Sequence, residues 1–319
     1  MISNKKDGIA KYYLMLFFVV ICWGASPSFT KYMYEFNSAS IHSFASHVIA
    51  VISLALICRK KLKYINLELI KTAGITGLIL GIANILQKVG FQYTTPSNYA
   101  FLENLSVVVV PLIAIIVYKK KPTTLILFSS VLCLFGCTVL CGIFSGFSFN
   151  GGNLLCALAG AFYGINISVT GEKAKKFDSG LYILIQLTVG MIVSLVTAIL
   201  LNFIKVNGVP LEPIKFTFRL DLILLMTAVV LITNTLCWIL RTNALKRVDS
   251  TVVAITMPLS AVLTSIISIC VGQESYSNEL LFGALLILAA TIASGLSDVF
   301  EKRKNDVKEI RDQAESTVS

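Results

Sequence analysis

The chain has 319 residues, 56% of them hydrophobic and 14% charged, with a formal net charge of +10. Soluble domains run near 45–50% apolar and about 25% charged, so this excess cannot be one soluble core and must face lipid. The basic residues form short clusters between apolar runs, which points away from a nucleic-acid surface and towards membrane topology.

Crossing a bilayer takes about 20 mainly apolar residues. In chain order, ten such segments are expected: Tyr12–Tyr32, Ser38–Cys58, Glu68–Gln92, Ser97–Tyr118, Thr123–Phe144, Gly151–Gly171, Leu181–Ile204, Leu220–Ala244, Ser250–Val271 and Glu279–Phe300. Lys5, Lys6 and Lys11 ahead of an apolar run resemble a signal peptide. That run continues through Trp23-Gly24-Ala25 to Thr30, long enough to span, and reads as an uncleaved first segment.

An even number of segments puts both termini on one side. With the N-terminus cytosolic, the cytosolic stretches carry 22 of the 27 basic residues, Lys119–Lys121 and Arg241–Arg247 among them. Lys31, Lys88, Lys205, Lys215 and Arg219 remain outside, the bias expected of the positive-inside rule. External connections are short: Met33–Asn37, the Tyr93–Pro96 turn and Ser145–Asn150, with Lys205–Arg219 the longest. None can hold a soluble domain. The eight cysteines have neither zinc spacing nor scaffold density and read as small apolar fillers.

A shift of 154 residues aligns Ala100 with Ala254, Asn104 with Pro258, Gln87 with Arg241, Lys120 with Glu274 and Ser129 with Gly283. Hydropathy matches across segments three to five and eight to ten. A five-helix repeat must insert its second copy upside down, which predicts a central cavity near the midplane. The expected fold is therefore all-α and integral to the membrane, ten transmembrane helices as two inverted five-helix repeats. The expected units are residues 1–146, residues 147–300 and a charged cytosolic tail, 301–319. Gly77 with Gly81, and Gly160 with Gly164, form GxxxG pairs that let backbones approach closely.

Catalytic signatures are absent: no HExxH, no GxSxG and no phosphate loop. His42 and His47, five apart, do not stack as a metal pair. No cofactor or metal is expected, and the chain does not read as an enzyme. The candidates are intramembrane polar groups, which normally face the bundle interior. Glu103 and Asn104 lie in segment four, His47 in segment two, and Asn84 and Gln87 in the outer half of segment three. Trp23 lies in segment one, Tyr163 and Asn166 in segment six, and Asn234, Trp238 and Arg241 in segment eight. Each has a structural alternative. Glu103 and His47 could tie helices together, Arg241 could snorkel to the cytosolic face, and Lys31 and Lys88 could be outer anchors.

The run GFQYTTPSNYAFLENLSVVVVPL followed by KKKP resembles the first-repeat signature of EamA-type transporters of the drug/metabolite transporter superfamily. Cys22-Trp23-Gly24 is similar to that family's Trp-Gly motif. ALKRVDSTVVAITMPLSAV, with Gly272-Gln273-Glu274 and Gly283-Ala284-Leu285-Leu286, looks like its closing pattern. The resemblance implies ten helices in two inverted repeats around a central cavity. It also implies movement of small metabolites or drugs, often outward, in a bacterial inner membrane.

The sequence reading is thus a secondary transporter working by alternating access on a small metabolite, amino-acid-like solute or drug. Glu103, Asn104, Trp23, His47, Asn84, Tyr163, Asn166, Asn234 and Trp238 are its expected substrate-contacting residues. Expected partners are that solute, the lipid bilayer and no nucleic acid, with a coupling proton and a homodimer as options. The alternative is a membrane sensor or assembly partner that moves nothing.

Overall fold

The computed structural model describes residues 2–140, 150–206, 209–210, 212–273 and 275–318. It is helical, apart from a two-residue antiparallel ribbon pairing Lys205–Val206 with Val209–Pro210. Eight helices are long and apolar enough to cross a membrane, and two shorter ones, Phe101–Ile116 and Thr124–Leu140, complete two sets of five. Span one is Ile2–Met33, span two Ala39–Ile57 and span three Leu67–Phe91. Span four is two helices, Pro96–Glu103 and Ser106–Ile116, and span five is Thr124–Leu140. Span six is Gly151–Lys173 and span seven Ser179–Phe203. Span eight joins Leu220–Val230 to Cys237–Leu245 through a π-helical turn, Leu231–Leu236. Span nine is again two helices, Ser250–Thr256 and Leu259–Cys270. Span ten runs as one helix, Asn278–Val318, so the charged stretch after Phe300 is helical. The expected end of segment five at Phe144 and most of the Ser145–Asn150 connection lie outside the described residues.

The starts of the spans follow from the sequence. Thr95 caps span four by accepting from the Asn98 amide, with Pro96 in the first turn, where its missing N–H costs nothing. Asp249, 154 residues on, caps span nine by accepting from the Thr251 amide. The interruptions fall in register too. Asn104-Leu105 separates the halves of span four, and Met257-Pro258 those of span nine. Pro258 lacks the N–H that would bond the Ala254 carbonyl, which accounts for the second break.

Packing repeats the pattern. Span four lies on span six, and span nine lies on span one. Span three packs on span seven, and span two on span eight, while spans five and ten pack on each other. Each contact maps to its partner when the two sets of five are exchanged. Glycines set the close approaches. A Cβ at Gly160 would lie 2.2 Å from the Leu102 carbonyl oxygen and 2.9 Å from that of Glu103. One at Gly24 would lie 2.6 Å from Leu263 Cβ and 3.0 Å from the Ser260 oxygen. The break of span four is therefore held against a glycine of the opposite repeat, and span nine packs on one just past its own break. Large apolar side chains such as Leu14, Phe17, Ile52, Phe128, Phe203 and Phe282 are exposed and face lipid.

The connections are pinned rather than loose. Glu212 Oε1 accepts from the amides of Ala39 at 2.6 Å and Ser40 at 3.2 Å, and from Gln92 Nε2 at 3.0 Å. This places a carboxylate on the first turn of span two, where the free N–H groups favour it. On the terminus-bearing side, Lys61 donates to Asp178 Oδ2 at 2.6 Å. Asp178 Oδ1 accepts from the amides of Gly180 and Leu181 at 3.0 and 3.2 Å, capping span seven. Burial raises the Asp178 pKa, but the Lys61 hydrogen bond and charge and the two amides outweigh it and hold the carboxyl below its ordinary value. Its stabilising contribution is complete above the unfolded aspartate pKa of about 3.9 and is lost as pH falls through the lower folded value. Local protection at Gly180 and Leu181, measured against intrinsic exchange rates, should therefore be lost only below about pH 4, and Asp178→Asn, which carries no carboxyl to titrate, should remove that pH dependence.

Candidate functional site

A cavity of about 130 Å³ lies where the two repeats meet. One water needs at least roughly 10–15 Å³ and fills about 30 Å³ in the liquid, so the cavity has room for several waters or one small solute. Asn84 and Trp238, Gln87 and Arg241, Glu103 and Met257, and Ser106 and Ser260 all line it. Each of these pairs is separated by the same 154 residues, so equivalent positions of both repeats face one space. The chemistry is not symmetric: the first repeat supplies the acid and the second the arginine.

Glu103 ends the first half of span four, at the break seated on Gly160. Its carboxylate is hydrogen-bonded by Gln87 and feels the charge of Arg241. Tyr163 Oη stands 2.6 Å from Gln87 Oε1 and 2.7 Å from Asn84 Oδ1. A phenol has one proton, so it donates to one amide and accepts from the NH₂ of the other. Spans three, four, six and eight thus converge on one acid.

The opposite wall is aromatic. Trp23 and Trp238 are 5.3 Å apart at an interplanar angle of 56°. The Arg241 guanidinium lies 4.8 Å from the Trp238 ring centre and 5.8 Å from that of Trp23. Trp23 Nε1 donates to the Thr233 carbonyl at 3.0 Å. Thr233 sits in the π-helical turn, where a shifted ladder leaves a carbonyl able to accept from outside the helix. Asn234, in the same turn, also faces the cavity.

Most of the residues expected from sequence meet here: Glu103, Asn104, Trp23, His47, Asn84, Tyr163, Asn234 and Trp238. Asn166 does not. Its Nδ2 donates to the Thr76 carbonyl at 3.0 Å, within a buried polar cluster that includes Gln186 and Thr170. His47 lines the wall but is 2% exposed, with Nδ1 2.8 Å from the Ser43 carbonyl and its ring against Gly190.

Two basic residues stand apart from their sequence reading. Arg241 does not snorkel; it is 2% exposed and lines the cavity. Lys88 is a half-buried cavity residue and not an outer anchor. Its spacing from Asn84 and Gln87, at i+4 and i+1, already put Asn84 and Lys88 on one helical face. Lys31 caps span three by donating to the Phe91 and Thr94 carbonyls at 3.0 and 3.1 Å. Tyr99, Ser260 and Thr264 also line the cavity, and nothing in their local sequence distinguishes them. No cluster able to hold a metal occurs among the described residues.

A polytopic helical protein whose two repeats enclose a polar, charged cavity is an integral membrane protein of the transporter type. The chain belongs to the EamA-like transporter family, whose pattern it matches over residues 10–142 and again over 150–296. It is similar to an uncharacterized transporter of Archaeoglobus fulgidus, 26% identical over 224 residues, which are 69% of this chain and 68% of that protein. A crystal structure of a protein 14% identical superposes with a TM-score of 0.68, covering 89% of this chain and 98% of that one. At that identity the likeness concerns the fold.

Proposed function

We propose that this chain is a secondary transporter that moves a small polar metabolite across a cell membrane by alternating access. The observation that carries this is the cavity lined by equivalent positions of both repeats, at the level of the two helix breaks. Two repeats that share a cavity can rock about it and open it to each side in turn. Glu103, Asn104, Trp23, Asn84, Tyr163, Asn234 and Trp238 would contact the solute, with His47 behind them. The distribution of basic residues supports cytosolic termini, and the family resemblance implies a bacterial inner membrane. Repeat boundaries near residues 146 and 300 suit this reading, and Glu103 is the group that would carry a coupling proton.

Labelling tests it. In right-side-out and inside-out vesicles, Ser260→Cys should react with a membrane-impermeant maleimide from both faces, above the background of the native cysteines. A sensor or assembly protein predicts labelling from one face at most. In proteoliposomes, Glu103→Gln should lose pH-dependent uptake; unchanged uptake and pH dependence would remove the acid from the mechanism.

A further inference from the structure

The charges of this cavity do not balance. Besides two histidines, three ionisable residues line it: Glu103, Arg241 and Lys88. Glu103 is already engaged by Gln87 and by the charge of Arg241. Lys88 has no hydrogen bond or ion pair among the described residues and faces the same space. Any proton on His42 or His47, which also line the cavity, adds to the same sign.

Arg241 is itself incompletely satisfied. It is 2% exposed, yet its Nε and Nη1 have no hydrogen-bond partner. Buried donors are almost always paired, so a guanidinium with two orphaned nitrogens, on a residue that lines the cavity, lacks an acceptor. The remaining polar groups on the wall are amides and hydroxyls, which adapt to either sign, and two histidines, of which His42 Nδ1 likewise has no hydrogen-bond partner. The uncompensated charges and the orphaned donors ask for the same thing, an oxyanion.

We propose that the solute is a small anion, carrying a carboxylate or a phosphate, held between Lys88 and the incompletely paired guanidinium of Arg241. Glu103 acts as the counter-ion that orients Arg241 and does not attract a substrate ammonium. The tryptophan pair then packs against the apolar remainder of the solute. This rests on the transport reading and gives it a substrate class.

The test uses the purified full-length protein in nanodiscs and thermal-shift titration with succinate, pyruvate, inorganic phosphate, glycine, and tetramethylammonium as the cationic control. At least one of succinate, pyruvate and phosphate should raise the melting temperature in a saturable manner. Carboxylates acting alone, or phosphate alone, would identify the head group. Lys88→Gln should weaken that binding about tenfold or more, and Lys88→Arg, which keeps the charge, should retain most of it. A shift with tetramethylammonium alone, anion binding unchanged in Lys88→Gln, or no shift with any anion would each overturn the proposal. These failures concern substrate charge only. Ser260→Cys labelled from both faces would leave the transport reading standing, whereas labelling from one face at most would remove it as well.

Discussion

Arg241→Met should destabilise the folded protein by about 3 kcal/mol and abolish uptake. Glu103 and Arg241 make no contact ion pair but feel each other's charge, and stranding a buried charge costs up to about 3–5 kcal/mol, the cost of a broken buried pair. Here Glu103 borders the cavity and keeps some access to water, which places the cost at the lower end of that range. Cation–π contact with Trp23 and Trp238 is lost as well, worth about 0.5–2 kcal/mol when desolvated. Methionine is long enough to fill most of the volume, so the loss reports charge more than packing. The double variant Arg241→Met/Glu103→Gln should recover most of the stability, because the stranded carboxylate is gone, without recovering uptake. Denaturant unfolding in mixed micelles reads the first quantity, and proteoliposome uptake the second. A stable single variant, or a double variant no better than the single, would show that the two residues do not work as a pair.

Gly160→Val should be the most damaging change outside the cavity lining. Already the first added carbon would lie 2.2 Å from the Leu102 carbonyl oxygen, a contact with backbone that no rotamer relieves. Overpacking a tight site costs about 1–3 kcal/mol, and more where backbone must move. The displaced atoms are those of the break that carries Glu103, so the cavity geometry should change with the stability. Gly74→Val is the control, because a Cβ at Gly74 meets nothing within 4 Å. Comparing melting temperature and uptake of the two variants separates tight packing from the general cost of valine in a helix. Equal effects would mean that the approach of spans six and four is not a constraint.

Much of this was legible in the residues themselves. Hydropathy runs of fixed length follow from the thickness of a bilayer, so the spans appear in sequence to within a few residues. The 154-residue offset was visible because both copies have the same spacing of apolar runs. The structure gave it content by placing the caps at Thr95 and Asp249, and the breaks at Asn104 and Pro258, on the same register. Polar residues within apolar runs are costly, so several polar residues of the cavity wall, Glu103, Asn84 and Tyr163 among them, could be nominated in advance.

Where the sequence stopped, the reason is reach and direction. Asn166 is as polar and as deep as Asn84, yet it faces the Thr76 carbonyl instead of the cavity. Which side a helix presents is decided by its neighbours. A long basic side chain near the end of an apolar run can extend to the interface or fold inward at similar cost. Arg241 turned in because Glu103 and two indole faces met it there, and Lys88 because the wall of span three is the cavity wall. The sequence by itself determined a membrane-embedded, two-repeat transporter scaffold, because composition and length act locally. Only the tertiary structure brought Glu103, Lys88 and Arg241 of the two repeats to one cavity, because which side chains meet is decided by which helices pack together.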